Sequence, residues 1–486
     1  VSAVLARAAE SASIEQAVET APLLIRSSSE IHGSVLSDTI VQRNCTLHVR
    51  GNVLGSLTIE PGANVVVDGS VDGRITNKGG RLLVHNKGLA ACVTVDGPAE
   101  AEACGTLKIN LTNLAANYEQ LATGTEAECA AVLRGDAYGC GIGPIAGALW
   151  KSGCRTFFVS TLPEAKSARA VAPEATIYVL NGFNSGTGPA FADIKARPVI
   201  NSAIELAEWD VFASTQGWTG GCALNVDTAD NGLGLSLEEA AAFAPRVQVL
   251  NHGFALLLSQ LDHAAMSDDA HIERQLGVFR DLRRLFSGVP ASLAGSSGIF
   301  LGGKTHFDLV RAGSALYGIN PTQGAVNPML PVVELKARIV QVREFAVSPH
   351  SVTNRLGAKN GAKNGTKIGT KNGSVLRNGS GGKQRRVALV SVGYADGYPA
   401  PASHAGPSLE VMISGERCPV AAAPSMDFVP IDVTDLRDRS VARLGAMVTL
   451  IGDGIGVDDV AGASGLTGRE VLSRLGRRFH RIYYAT

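Results

Sequence analysis

The sequence predicts an α/β plus β protein in three parts: an N-terminal β-solenoid, a (β/α)8 TIM-type barrel and a C-terminal β-domain. Three observations predict it: an eighteen-residue apolar repeat between Ile31 and Ile75, eight short apolar segments alternating with helical patterns from Leu107 to Leu316, and an all-β texture after Pro321. The expected boundaries are an N-terminal helix at 1–22, the solenoid and a linker at 23–104, the barrel at 105–325 and the β-domain at 326–486. With 486 residues, 45% of them hydrophobic, the chain has material for cores of this size.

Residues 1–20 read as one amphipathic helix, after which glycine punctuates short alternating segments. Gly33-Ser34-Val35, Gly51-Asn52-Val53 and Gly69-Ser70-Val71 stand eighteen residues apart, and Leu47, Val49, Val53 and Leu57 recur as Val65, Val67, Val71 and Ile75. Matching apolar positions at period two let each rung of a solenoid cover the next, and a meander of Gly-rich hairpins is the alternative. Barrel strands are expected at Ala130–Arg134, Arg155–Ser160, Thr176–Leu180, Pro198–Asn201, Cys222–Asp227, Phe254–Leu258, Pro290–Ala294 and Leu309–Leu316. A closed barrel places its site at the carboxyl ends of those strands; an open doubly wound sheet is the alternative. Further strands are expected at Val332–Val342, Val387–Val392, Leu409–Ile413 and Met447–Ile451. Between them, 348–386 reads as a low-complexity insertion in which Lys359, Lys363, Lys367 and Lys371 are interrupted by Asn-Gly turns. A solvated loop is the reading, and an anionic surface contact the alternative.

Forty-four Lys and Arg balance forty-four Asp and Glu, so no global field draws the chain to nucleic acid or an anionic membrane. The eight cysteines lie at least eleven positions apart, which excludes a C-x-x-C metal or redox pair and points to buried reduced thiols with no metal site. No stretch approaches the ~18 uninterrupted apolar residues of a membrane span, and no secretory pattern opens the chain. A bacterial cytoplasm is the expected location.

Seven collinear stretches resemble the alanine racemase family: AAVLRGDAYGCGIGP at 130–144, ALNVDTADNGLGLS at 223–236, LAGSSGIFLG at 293–302, FDLVRAGSALYGINP at 307–321, VSVGYADGYP at 390–399, RCPVAAAPSMD at 417–427 and REVLSRLGRRFHRIYY at 469–484. The resemblance covers residues ~105–486 and implies pyridoxal 5'-phosphate (PLP) as cofactor, alanine as substrate, and a homodimer through barrel and C-terminal domain. It further implies that Tyr138, Ser296, Gly313 and Arg469 lie at the cofactor phosphate and that Arg311 faces the pyridine nitrogen. Tyr394, from the partner subunit, is the base on one face of the α-carbon, and the Met426 amide meets the substrate carboxylate. Residues 24–90 resemble the bactofilin family of small β-helices, which implies possible self-assembly through that segment.

The departures bear on activity. Arg134 occupies the position of the PLP-binding lysine, and a guanidinium supplies neither a free amine nor a second base at neutral pH. Gly232 replaces the arginine for the substrate carboxylate, Gln260 the histidine that supports Arg311, Gly295 the asparagine before Ser296, and Arg469 a phosphate-binding tyrosine. The sequence therefore predicts an alanine racemase-family protein that is catalytically impaired or a pseudoenzyme, with covalent PLP attachment lost, fused to a bactofilin-like assembly module. The alternative is an active alanine racemase supplying D-alanine for peptidoglycan.

Overall fold

A computed structural model describes residues 12–17, 22–53, 55–71, 75–84, 92–229, 232–249, 251, 253–261, 269–322, 324–346, 384–402 and 408–485. These fall into two compact units, one from residues 1–112 with 333–486 and one from residues 113–332.

In the first unit the eighteen-residue spacing is the pairing register. Thr39 pairs with Leu57 and Leu57 with Ile75; Ser29 pairs with Leu47 and Leu47 with Val65; Ser34 pairs with Asn52 and Asn52 with Ser70, all in parallel. Ile31, Val35, Leu47, Val49, Val53, Leu57, Ile59, Val65 and Val67 are wholly enclosed in one cluster, each worth about 1.5–3 kcal/mol of burial. The repeated glycines permit the close stacking: a Cβ on Gly51 would come within 1.9 Å of the Gly33 carbonyl oxygen, and one on Gly69 within 1.7 Å of that of Gly51.

The expected helix at 1–22 is corrected where it is described. Ala12–Ala17 is a strand parallel to Ser29–Val35, because Gln16 and Ala17 fall in the same register, eighteen residues before Ser34 and Val35, and ladder bonds outweigh helical propensity. Residues 1–11 and 18–21 of that helix lie outside the described residues.

Strand Arg81–Val84 pairs antiparallel with Cys92–Asp96, which pairs antiparallel with His480–Ala485. That last strand runs parallel to Gly105–Asn110, which pairs antiparallel with Val333–Ala346. Residues 105–112 therefore belong with the C-terminal β-structure and not with the barrel, because their hydrogen-bond partners are there. Val333–Ala346 also pairs with Met447–Ile451 and Gln384–Val390, and the latter with Val429–Asp432. The insertion is shorter than 348–386, since Gln384, Arg385 and Arg386 continue the ladder opposite Ala346, Phe345 and Glu344. Its remainder lies outside the described residues.

The second unit is a parallel barrel. Strands Glu128–Val132, Thr156–Val159, Thr176–Val179, Arg197–Ile200, Cys222–Asn225, Phe254–Leu258 and Ala291–Ser292 pair in chain order, and Leu309–Ala312 pairs with the first. The seam between the last two is joined by a Gly295–Arg311 bridge and by the bonds Asp308 N to Ala291 O, 3.0 Å, and Arg311 N to Ala294 O, 2.9 Å. Ala130, Phe158, Tyr178, Val199, Ala223, Leu256, Leu258 and Leu309 form one buried cluster drawn from seven of the strands, so the interior is packed and the loops at the carboxyl ends are left for a site. Among the described residues no helix is long and apolar enough to cross a membrane.

Candidate active site

The first strand of the barrel delivers an unusual turn. Gly135, Asp136, Ala137 and Tyr138 all have φ between 54° and 66°, so four consecutive residues are left-handed, which costs about 1–2 kcal/mol for each residue bearing a Cβ. The surroundings hold it: the Asp136 amide donates to Glu164 Oε1 at 3.0 Å, and the Asp136 carboxylate accepts the Ile142 amide at 3.0 Å. Glu164 is itself the N3 residue of a capping box begun by Thr161, and its other oxygen accepts the amides of Ser160 and Thr161. Strain concentrated here, at a carboxyl end, marks the turn as a site element.

The turn places the Tyr138 side chain in the interior, 6% exposed, with its ring 4.6 Å from that of Tyr317. It lies against Gly313, where a Cβ would stand 2.6 Å from Tyr138 Oη and 3.5 Å from Val132 Cβ. Ser296 Oγ accepts the amides of Gly313 and Ala315 at 2.9 and 3.2 Å. A serine hydroxyl that gathers two backbone amides and a phenol thus meet around one glycine, and hydroxyl donors of this kind suit a phosphoryl group. Tyr138, Ser296 and Gly313, all singled out from sequence, are brought together.

Arg311 is paired in register with Ala130 and stands two residues beyond Leu309, so its side chain shares the interior phase of the barrel wall. Its Nε donates to Ser292 Oγ at 3.1 Å, and Nη2 donates to the carbonyls of Ser259 and Leu293, the latter at 3.0 Å. Burial, and after it the charge of Arg134, pushes this guanidinium down to about 10. Sequence reasoning missed Ser259, Ser292 and Leu293 as its supports; two act through backbone carbonyls, which leave no signature in side-chain identity. Gln260 instead donates to its neighbour's carbonyl, Leu261 O, at 3.4 Å.

Arg134 is exposed, two residues after the strand Glu128–Val132, and its side chain makes no hydrogen bond or ion pair among the described residues. Gly232 has φ +102° with nothing within 4 Å of its Cβ position, and its amide donates to Asp227 Oδ2 at 2.7 Å. In the other unit, Tyr394 and Met426 are neighbours. The Tyr394 amide donates to Ser425 O at 2.9 Å and the Ala395 amide to Met426 O at 3.1 Å, and both side chains are more than half exposed. Arg469 is exposed near the start of the helix Gly468–Ser473.

A parallel barrel carrying this cradle and strained turn at the carboxyl ends of its strands, joined in one chain to a β-domain, defines a barrel-plus-β-domain class of protein. Residues 109–321 match the alanine racemase N-terminal domain and residues 374–483 the alanine racemase C-terminal domain. An alanine racemase of Methylobacterium sp. (strain 4-46) is 44% identical over 378 residues, 78% of this chain and 97% of the relative. One from Rhizobium meliloti (strain 1021) is 38% identical over 401 residues, 80% and 99% of the two chains. Among solved structures, alanine racemase from Bartonella henselae with covalently bound pyridoxal phosphate superposes with a TM-score of 0.66 at 30% identity, over 78% of this chain and 99% of that one. The biosynthetic alanine racemase of Pseudomonas aeruginosa gives 0.66 at 27%, over 78% and 99%. The chain belongs to the alanine racemase family.

Proposed function

We propose that this chain is a PLP-dependent alanine racemase, interconverting L- and D-alanine, that holds its cofactor by the phosphate rather than through a covalent bond at residue 134. The observation that carries the reading is the cradle of Ser296 Oγ with the amides of Gly313 and Ala315, roofed by Tyr138. A Cβ on Gly313 would collide with Tyr138 Oη, and the Ser296 and Tyr138 hydroxyls that meet there are donors of the kind a phosphate accepts. When bound, PLP supplies an aldehyde that condenses with the amine of alanine and a ring that accepts the charge left as the α-proton departs. Arg311, always a donor, keeps the facing ring nitrogen unprotonated. The Tyr394 hydroxyl moves the proton on one face, and the Met426 amide orients the carboxylate; both act from the partner subunit of a homodimer, in a bacterial cytoplasm. Arg134 gives no second base, so turnover is slow.

The test is alanine racemisation by protein purified from a racemase-deficient host and supplied with PLP. A rate above that of free PLP supports the reading, and a rate equal to it overturns the reading. Arg134 and Gly232 favour a second reading in that event: a pseudoenzyme body joined to a bactofilin-like β-solenoid, read from the parallel eighteen-residue ladder, that acts in assembly. Concentration-dependent assemblies lost on deleting residues 1–91 are its expected signature.

A further inference from the structure

Three of the motif segments in the β-unit meet at one guanidinium. Arg478 Nε donates to Asp396 Oδ1 at 2.7 Å, and its Nη1 and Nη2 both donate to Asp427 Oδ1 at 3.0 Å. Asp396 is fully buried, and its second oxygen accepts the Gly393 amide at 2.9 Å. Asp396 ends the turn that begins at Tyr394, while Asp427 directly follows Met426. The backbone of Arg478 is held in turn, its carbonyl accepting the amide and thiol of Cys104, each at 3.3 Å. Between the two acidic residues the segments also touch directly, for a Cβ on Gly393 would come within 2.2 Å of Met426 O.

We propose that Arg478 is a positioning residue that sets the spacing between the Tyr394 hydroxyl and the Met426 amide. That these two groups act on alanine rests on the function proposed above; that Arg478 fixes the two loops does not. A charged fork shared by one buried and one exposed carboxylate adds a side-chain tie to two loops already joined by the Tyr394–Ser425 and Ala395–Met426 backbone bonds. Its planar geometry fixes direction as well as distance, which an ammonium on the same stem does not. The charges reinforce one another: both carboxylates hold the guanidinium protonated well above its ordinary range.

Hydrogen exchange of the full chain, read by mass spectrometry in peptides covering 391–398, 425–428 and 128–142, tests the clamp without any reaction. Arg478→Gln is expected to raise exchange in the first two at least about tenfold and to leave 128–142 unchanged. Asp427→Asn, which spares the buried carboxylate, raises exchange at 425–428 alone, and Arg478→Lys restores only part of the protection. Unchanged exchange at both loops overturns the proposal; so does a loss of protection spread evenly over all three regions, which is the behaviour of a general structural support. A kinetic arm uses an Arg134→Lys background. Adding Asp427→Asn is expected to raise KM for alanine several-fold with kcat nearly constant, and adding Arg478→Gln to lower kcat by about tenfold or more. Equal effects of both variants on kcat and KM overturn separate control of the two groups. If the background shows no racemisation, the proposed activity fails and the exchange result alone decides the clamp.

Discussion

The phenol of Tyr138 takes up the space that a side chain at Gly313 would need, with 2.6 Å between Tyr138 Oη and a Cβ built on residue 313. The opposing hydroxyl is the nearest atom that a side chain at residue 313 would meet, with Val132 Cβ next at 3.5 Å.

Gly313→Ala is therefore expected to cost about 1–3 kcal/mol through overpacking and to weaken PLP binding. Adding Tyr138→Phe removes the oxygen in conflict and recovers most of the thermal midpoint without recovering PLP affinity. Denaturation and PLP titration of the two variants check this; a single variant with wild-type stability contradicts it.

Arg134→Lys supplies an amine where the guanidinium now stands. A borohydride-reducible PLP adduct at residue 134 is expected, together with a rise in racemisation of about a hundredfold or more. In the wild type, PLP is expected to wash out on desalting. A wild-type adduct located by peptide mass would show that a different amine serves.

Glu164 accepts three backbone amides, those of Asp136, Ser160 and Thr161. Glu164→Ala is expected to destabilise the protein by about 2 kcal/mol and to release the left-handed turn. Faster amide exchange at 134–141 and weaker PLP binding would accompany the lower thermal midpoint. Full retention of exchange protection there would show that the turn holds itself.

Burial raises the thiols of Cys129, Cys154 and Cys222, each to about 12, against about 8.5 in an unfolded chain. The native state thus keeps protons that the unfolded state loses. Their contribution to stability is complete below about pH 8.5 and declines as pH rises toward 12. Urea midpoints should fall between about pH 8 and about pH 10.5, less steeply in Cys222→Ala. A flat profile over that span would contradict the assignment.

Gly51→Ala sets a methyl group against the Gly33 carbonyl oxygen, at 1.9 Å before any relaxation. The eighteen-residue ladder should lose amide protection at 29–71 while PLP affinity stays within about twofold of wild type, since the two belong to separate compact units. Unchanged protection would mean that the rungs yield more easily than backbone stacking allows.

Legibility in the sequence followed the range of the forces involved. Parallel strands enclosed on both faces read as unbroken apolar runs, so Phe254–Leu258 was expected with both its ends; the antiparallel Met447–Ile451 was expected with both its ends from alternation instead. The glycine column was legible because repetition itself carries the signal. Ala12–Ala17 was not, since ASIEQA has helical composition and becomes a strand only by joining a ladder. Gly105–Asn110 was assigned to the barrel because its partners, Val333–Ala346 and His480–Ala485, lie far away in sequence. In the site, Tyr138, Ser296, Arg311 and Gly313 stood out as motif members. The left-handed turn did not, because Ala137 and Tyr138 carry no local preference for positive φ.

Strand Cys92–Asp96 has His480–Ala485 as one of its two neighbours, so one segment is completed by another made far later along the chain. On the ribosome, at about 5–20 residues per second, the wait is on the order of tens of seconds. Throughout it, one edge of Cys92–Asp96 offers unsatisfied amides and carbonyls to any neighbouring nascent chain. Arrival of His480–Ala485 is thus the event that gives Cys92–Asp96 its second neighbour.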